Sequence, residues 1–332
     1  LNKISFDPRS LFNRDNNIAQ LLVMVVLIFA VMTALSPDKF LRWYNFESLT
    51  YLFPELGVLS IAMLVAMMTG GIDLSIIGIA NVSAILAGLF FHRMIGRGAE
   101  AAEGQTLWIL CGIGLSMSVG MIAGAFNGFL ITRLKVTPIL ATLGSGQIFT
   151  GIALVLTGGP AIVGFPAAWD WIGNGKIFGL AVPFVLFVVI ALAIAFVLTR
   201  TTFGLALQLI GTNPKAAVYA GLDRAKMVFM SYVLTGTLAS IAGIMLSGRT
   251  NAAKSDYGTS YLLQAVLIAV LGGTNPAGGK GTVAGVSIAV IALMLLSSGF
   301  QILRFSNHLI DFIWGAFLLL VIAINAYKNR TR

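Results

Sequence analysis

"MMTGGIDLSIIG", residues 67–78, decides the fold. Across residues 56–91 the chain is almost wholly apolar or small, and Asp73 is the only charge. A continuous helix of that length would be about 54 Å long, nearly twice the hydrocarbon thickness of a bilayer. The run must therefore fold back near its middle, where "TGGID" falls. Gly70 and Gly71 permit the backbone angles of a tight reversal and weaken the helix there. Asp73 suits the N-cap of the next helix, accepting from the free amides of Leu74, Ser75 or Ile76. A competing reading is that Asp73 lines a polar pathway or binds a coupling ion, because an acid at the centre of a membrane helix costs about 2.5–3.5 kcal/mol.

Composition supports the membrane setting. Of 332 residues, 58% are hydrophobic and only 10% charged, with a mean hydropathy of +0.94. Soluble domains carry about 25% charged residues. At about 20 residues per span, ten candidate helices follow: 18–36, 52–69, 75–91, 107–132, 138–157, 179–198, 227–247, 261–272, 282–299 and 308–327. The fold class is thus an all-α polytopic membrane protein, a single transmembrane domain over 1–332. The first apolar run is long enough to serve as an anchor rather than a signal peptide. The eighth segment is too short to cross alone and is expected to borrow residues from the loop after it. Strand content is expected near zero, with a small outer helix around "PAAWDWIG". Cys111 has no second cysteine to pair with, and His92 and His308 stand apart from any ligand cluster, so no metal site is expected.

Orientation follows from the basic residues. With ten spans and both termini cytoplasmic, the inner side holds thirteen basic residues: Lys3, Arg9, Arg14, Arg133, Lys135, Arg200, Lys215, Arg224, Lys226, Lys280, Lys328, Arg330 and Arg332. It holds four acids, Asp7, Asp15, Asp73 and Asp223, so the whole formal charge of +9 falls on that side. Topology and anionic lipid account for the basic excess, and a nucleic-acid partner is not implied.

"VLGGTNPAGGKGT", residues 270–282, is a second break. It carries Gly272, Gly273, Gly278, Gly279 and Gly281, with Lys280 placed at the inner surface. Because Lys280 is followed by glycine rather than Ser or Thr, this is not a nucleotide-binding P-loop. An interfacial turn allowing close helix approach is the simpler reading. Gly112, Ser116, Gly120, Gly124 and Gly128 stand four apart and form a ridge for intimate helix packing. Asn81, Asn127, Gln147, Gln208 and Gln264 suit either a solute pathway or interhelical hydrogen bonds.

The longest inner loop, 200–226, holds one more short helix. Asn213 is a good N-cap, Pro214 fits the first helical position, and Gly221 fits the position after the C-terminus. Ala216, Ala217 and Ala220 cluster on one side, flanked by Lys215, Arg224 and Lys226. Such a helix suits a partner's groove, with an ordinary interfacial helix on lipid as the other reading.

"AAVYAG" matches the Ala-Ala-x-x-x-Gly core of the coupling-helix loop of ABC importer permeases, with Lys215 where that motif usually has Glu. "GGIDLS" (70–75) and "LGGTNPAGGKGT" (271–282) resemble two hallmark stretches of the monosaccharide-importer permeases, as do "ATLGSGQIFTGIAL" (141–154) and "SDYGTSYLLQAVLIAVLGG" (255–273). That group serves pentoses, hexoses, rhamnose, polyols and the furanoside autoinducer-2, and the resemblance covers about 18–327. One departure is "DLSIIG", where relatives commonly place the glycine one residue earlier. The resemblance implies a type II ABC importer permease of about ten helices in a bacterial inner membrane. It further implies a second permease subunit, an extracytoplasmic substrate-binding protein, and a cytoplasmic ATPase with two nucleotide-binding domains that holds the ATP and Mg. This chain would bind no cofactor and catalyse nothing. Asn213, Pro214, Lys215, Ala216, Ala217, Ala220 and Gly221 would transmit the ATPase's motion. An ion-coupled secondary transporter, with Asp73 as its ion site, is the alternative. A channel is a third class, but no repeated filter sequence supports it.

Overall fold

Apolar runs in a bilayer must satisfy their own peptide groups, and the helix does so locally. The computed structural model describes residues 17–96 and 105–330. The expected N-terminal segment with Lys3, Asp7, Arg9, Arg14 and Asp15, together with Arg332, lies outside the described residues. Fourteen helices are present among those described: α1 (Asn17–Leu35), α2 (Pro37–Phe40), α3 (Trp43–Met68), α4 (Ile76–Met94), α5 (Gln105–Thr132), α6 (Pro138–Thr157), α7 (Ala167–Asn174), α8 (Val182–Arg200), α9 (Thr202–Thr212), α10 (Pro214–Tyr219), α11 (Arg224–Thr250), α12 (Tyr261–Leu271), α13 (Val283–Ile302) and α14 (Asn307–Arg330). Eight of them, α1, α3, α4, α5, α6, α8, α11 and α13, are long and apolar enough to cross a membrane.

The expected spans correspond to these eight helices plus α12 and α14. One boundary moves substantially: α3 begins at Trp43, nine residues before the expected start, and runs through Pro54. The early start brings Trp43 and Tyr44 out as exposed aromatics, the residue type enriched at membrane interfaces. The small helix around "PAAWDWIG" is α7. Among the described residues, strands are limited to two-residue pairs: β1 (Ile162–Val163) with β4 (Ala252–Ala253), and β2 (Lys176–Ile177) with β3 (Leu180–Ala181).

The centre of the bundle is α3, almost wholly buried from Phe53 to Met68, packed by α8, α11, α12 and α13. The expected glycine ridge lies on α5 and meets α11 and α4. A Cβ at Gly124 would stand 2.2 Å from the Tyr232 carbonyl oxygen, and one at Gly120 would stand 2.4 Å from that of Gly236. Backbones therefore touch where the ridge runs, which settles its role as packing. Asn81 and Asn127 hydrogen-bond between elements, whereas Gln147 is exposed.

The two ends of the bundle separate as chain alternation requires. At one end, Gly70 approaches Ala277, Gly71 approaches Pro138, and Gly273 approaches Asn17. Arg133, Lys135, Arg200, Lys215, Arg224, Lys226 and Lys280 belong to the loops and helix ends there. At the other end, Lys176 pairs with Glu47, His92 Nε2 donates to the Val163 carbonyl at 2.8 Å, and Ser298 Oγ donates to Asn45 Oδ1 at 2.6 Å.

Candidate functional site

The basic end brings together the three stretches singled out in the sequence. The first is the α3–α4 turn. Gly70 adopts φ +79°, a left-handed angle that favours glycine. Gly71 does not; it is glycine because a Cβ there would lie 2.3 Å from the Tyr232 hydroxyl. The Asp73 carboxylate is completely buried. Its Oδ1 accepts from the Ser75 amide at 3.0 Å and the Ser75 hydroxyl at 2.6 Å, and its Oδ2 accepts from Thr235 Oγ1 at 2.6 Å. Asn127 Nδ2 donates to Ser75 Oγ at 2.7 Å, and the Leu74 amide donates to Thr142 Oγ1 at 3.0 Å.

Two corrections follow. Asp73 is not the N-cap of α4; that position belongs to Ser75, and Asp73 stands two residues earlier. Nor does Asp73, counted above with the inner-side acids, reach the surface there, because α5, α6 and α11 close over it. Buried carboxylates are tolerated when hydrogen-bonded, and three donors meet this one. Thr235 and Thr142 could not be picked from the sequence: they come from helices 162 and about 70 positions away, and small hydroxyls are common in membrane helices.

The second stretch is the glycine-rich loop after α12. Gly273, Gly278 and Gly279 adopt φ of +89°, +103° and +81°. Asn275 closes it: its amide donates to the Lys280 carbonyl at 2.9 Å, and its Oδ1 accepts from the Ala277 amide at 3.1 Å. The Gly279 amide donates to the Met68 carbonyl at 3.0 Å, so the loop caps α3. Gly272 is needed for proximity, since a Cβ there would stand 2.7 Å from the Val286 backbone, and Gly281 sits against Leu64 and Thr274. Lys280 is exposed at the surface.

The third stretch is α10. Asn213 caps it, its Oδ1 accepting from the Ala216 amide at 3.0 Å, with Pro214 at the first position. Gly221 ends it at φ +86°. The α9 end that leads into α10 is wedged between the other two stretches. A Cβ at Gly211 would lie 2.0 Å from the Met68 carbonyl oxygen and 2.2 Å from the Gly279 nitrogen. All three stretches thus meet backbone to backbone.

The alanines of α10 divide. Ala217 is buried with Ile210, Val228 and Tyr232, whereas Ala216 and Ala220 are exposed. The outward surface is Lys215, Ala216, Val218, Tyr219 and Ala220, and Tyr219 is 91% exposed. Tyr219 was missed because it fills an unspecified position of the Ala-Ala-x-x-x-Gly pattern.

Midway along α3, Glu55 is 2% exposed. It accepts from Arg249 Nη2 at 2.7 Å, Arg249 Nε at 3.2 Å and the Tyr261 hydroxyl at 2.8 Å, tying α3, α11 and α12 together. Among the described residues no group of three or more His, Cys, Asp and Glu is placed to hold a metal.

A family model described as "Branched-chain amino acid transport system / permease component" matches residues 45–322. The chain is similar to the autoinducer 2 import system permease protein LsrD of Yersinia pseudotuberculosis serotype O:3 (strain YPIII), 32% identical over 311 residues, 92% of this chain and 89% of that one. It is similar also to the protein of the same name from Photorhabdus temperata, 31% identical over 324 residues, 95% of this chain and 92% of that one. No solved structure matches the chain.

Proposed function

The chain belongs to this family of ABC transporter permeases, on its monosaccharide-type branch, and from that premise we propose that it moves a small neutral sugar or sugar-like solute into the cytoplasm. It is a multi-pass protein of the bacterial inner membrane. The observation that carries the proposal is similarity over nine-tenths of the chain to permeases named for autoinducer 2 import. Autoinducer-2 and related furanosides are accordingly the first solutes to try.

In this reading the basic end faces the cytoplasm, where it meets an ATPase with two nucleotide-binding domains holding ATP and Mg. A substrate-binding protein delivers solute to the opposite face, and a second permease subunit completes the pathway. Lys215, Val218 and Tyr219 on the exposed side of α10 enter a groove of the ATPase. Asn213, Pro214 and Gly221 keep the helix short and fixed in direction. Ala217 does not touch the partner; it seats α10 on Tyr232, whose hydroxyl reaches Gly71 beside Asp73. A push on α10 is thereby passed to α11 and to the α3–α4 turn. Hydrolysis belongs to the partner, and this chain contributes movement.

The ion-coupled alternative would need Asp73 free to take up an ion or proton. Its oxygens are instead committed to Ser75 and Thr235, which favours a structural role. The test is to tag the chain in its native membrane, solubilise gently and identify what co-purifies. Recovery of a two-domain ATPase supports the proposal. A chain recovered alone that transports in ATP-free vesicles contradicts it.

A further inference from the structure

The levels of α4 and α5 are pinned by Ser116 Oγ, which donates to the Ser83 carbonyl at 3.1 Å. Ser83 stands ten positions before Arg93 on α4, and Ser116 seventeen before Arg133. At 1.5 Å per residue these are about 15 Å and about 26 Å, which together match the full thickness of a bilayer with its headgroups. Asn81, about 3 Å further in, is therefore near the midplane.

Asn81 Nδ2 donates to the carbonyls of Ser255 and Tyr257, at 3.0 and 2.9 Å. The chain enters from the outer end after β4, whose partner strand β1 lies against Gly88 of α4, and descends to Asn81 before α12 begins. Helix α12 has only 11 residues, about 16 Å, and so starts within the membrane. Sequence reasoning expected this span to borrow from the loop after it; it borrows from the segment before it as well.

This midplane segment is polar and exposed. Lys254 Nζ pairs with Asp256 Oδ2 at 2.9 Å, with the side chains 37% and 57% exposed, and Thr259 and Ser260 are exposed too. Non-helical backbone and charged side chains are not presented to lipid at that depth; they are found where protein or a water-filled cavity covers them. One turn along α12, Gln264 packs in a tight crevice beside Ser297 and Trp314, whose buried indole nitrogen has no hydrogen-bond partner among the described residues.

We propose that the solute's path through this subunit runs along residues 254–260 and the first turn of α12. The Lys254–Asp256 pair and the hydroxyls of Thr259 and Ser260 offer donors and acceptors to a neutral, hydroxyl-bearing solute. The two opposite charges cancel, so the surface is hydrogen-bonding without attracting ions of either sign. The nature of the solute rests on the importer reading; the path does not.

The test uses the full chain with its co-purifying partners in vesicles, carrying Cys111→Ser. Asp256→Cys, Thr259→Cys and Ser260→Cys are each treated with a charged, water-soluble methanethiosulfonate, with Leu192→Cys, in the exposed middle of α8, as the lipid-facing control. Ser260→Cys is nearly isosteric, so its result does not hinge on tolerance of a large change. The expected result is labelling at least tenfold faster than at Leu192→Cys, with a rate that changes on adding ATP. Fast labelling indifferent to ATP keeps the path and removes the importer reading. Rates no faster than the control at all three positions overturn the path, whether or not ATP drives uptake.

Discussion

The Thr235 hydroxyl donates to Asp73 Oδ2 at 2.6 Å, joining the α3–α4 turn to the middle of α11. Removing the carboxylate strands both donors of Ser75 and leaves the Thr235 hydroxyl only the Tyr232 carbonyl, at 2.9 Å. At about 1–3 kcal/mol for each buried group left unsatisfied, Asp73→Ala should unfold the subunit at distinctly lower temperature in detergent. Asp73→Asn keeps an acceptor and the shape of the side chain, so it should fold and retain ATP-driven uptake. Loss of uptake in well-folded Asp73→Asn would instead revive the ion-coupled alternative.

Tyr219 and Ala217 should behave differently although they are two residues apart. Tyr219→Ala removes an exposed side chain and should leave thermal stability unchanged while weakening ATPase association by tenfold or more, as loss of an interface anchor does. Ala217→Glu forces a charge among Ile210, Val228 and Tyr232, so it should lower stability as well as association. Melting curves and co-purification yields of the two variants, measured side by side, check this.

Buried Glu55, midway along α3, pairs with Arg249, whose side chain keeps 20% exposure. Glu55→Ala leaves the partly exposed Arg249 with no acid beside it and should cost about 1–3 kcal/mol. The double variant Glu55→Ala/Arg249→Ala should be less destabilised than the sum of the single ones, a coupling that a double-mutant cycle reads directly.

Gly124→Val should separate α5 from α11, because even a Cβ there meets the Tyr232 carbonyl oxygen at 2.2 Å. Overpacking of this kind costs about 1–3 kcal/mol or more. Gly114→Ala on the same helix, where a Cβ meets nothing within 4 Å, should be neutral in the same melting assay.

Local signals carried most of the fold. The apolar runs, the small-residue ridge, the left-handed Gly70 and the Asn213 cap were legible because each depends on neighbours within a few positions. The Ser75 amide on Asp73 was legible too, but Thr235 on Asp73 and Asn127 on Ser75 were not, since both come from distant helices. The orientation of α10 was not legible either: all its alanines look alike until α9 and α11 bury Ala217 and leave Ala216 and Ala220 outside. Likewise Glu55 and Arg249 read as ordinary charges near span ends, and only packing of α3 against α11 brings them into one buried pair. The midplane segment was visible as a family stretch without a role, because depth depends on how α4 and α5 are staggered.

The most direct measurement is uptake of labelled autoinducer-2 or ribose into vesicles containing this chain and its co-purifying partners, with and without ATP and with ion gradients collapsed. The account predicts accumulation that requires ATP and survives loss of the gradients. Uptake that proceeds without ATP and disappears with the gradients would contradict it.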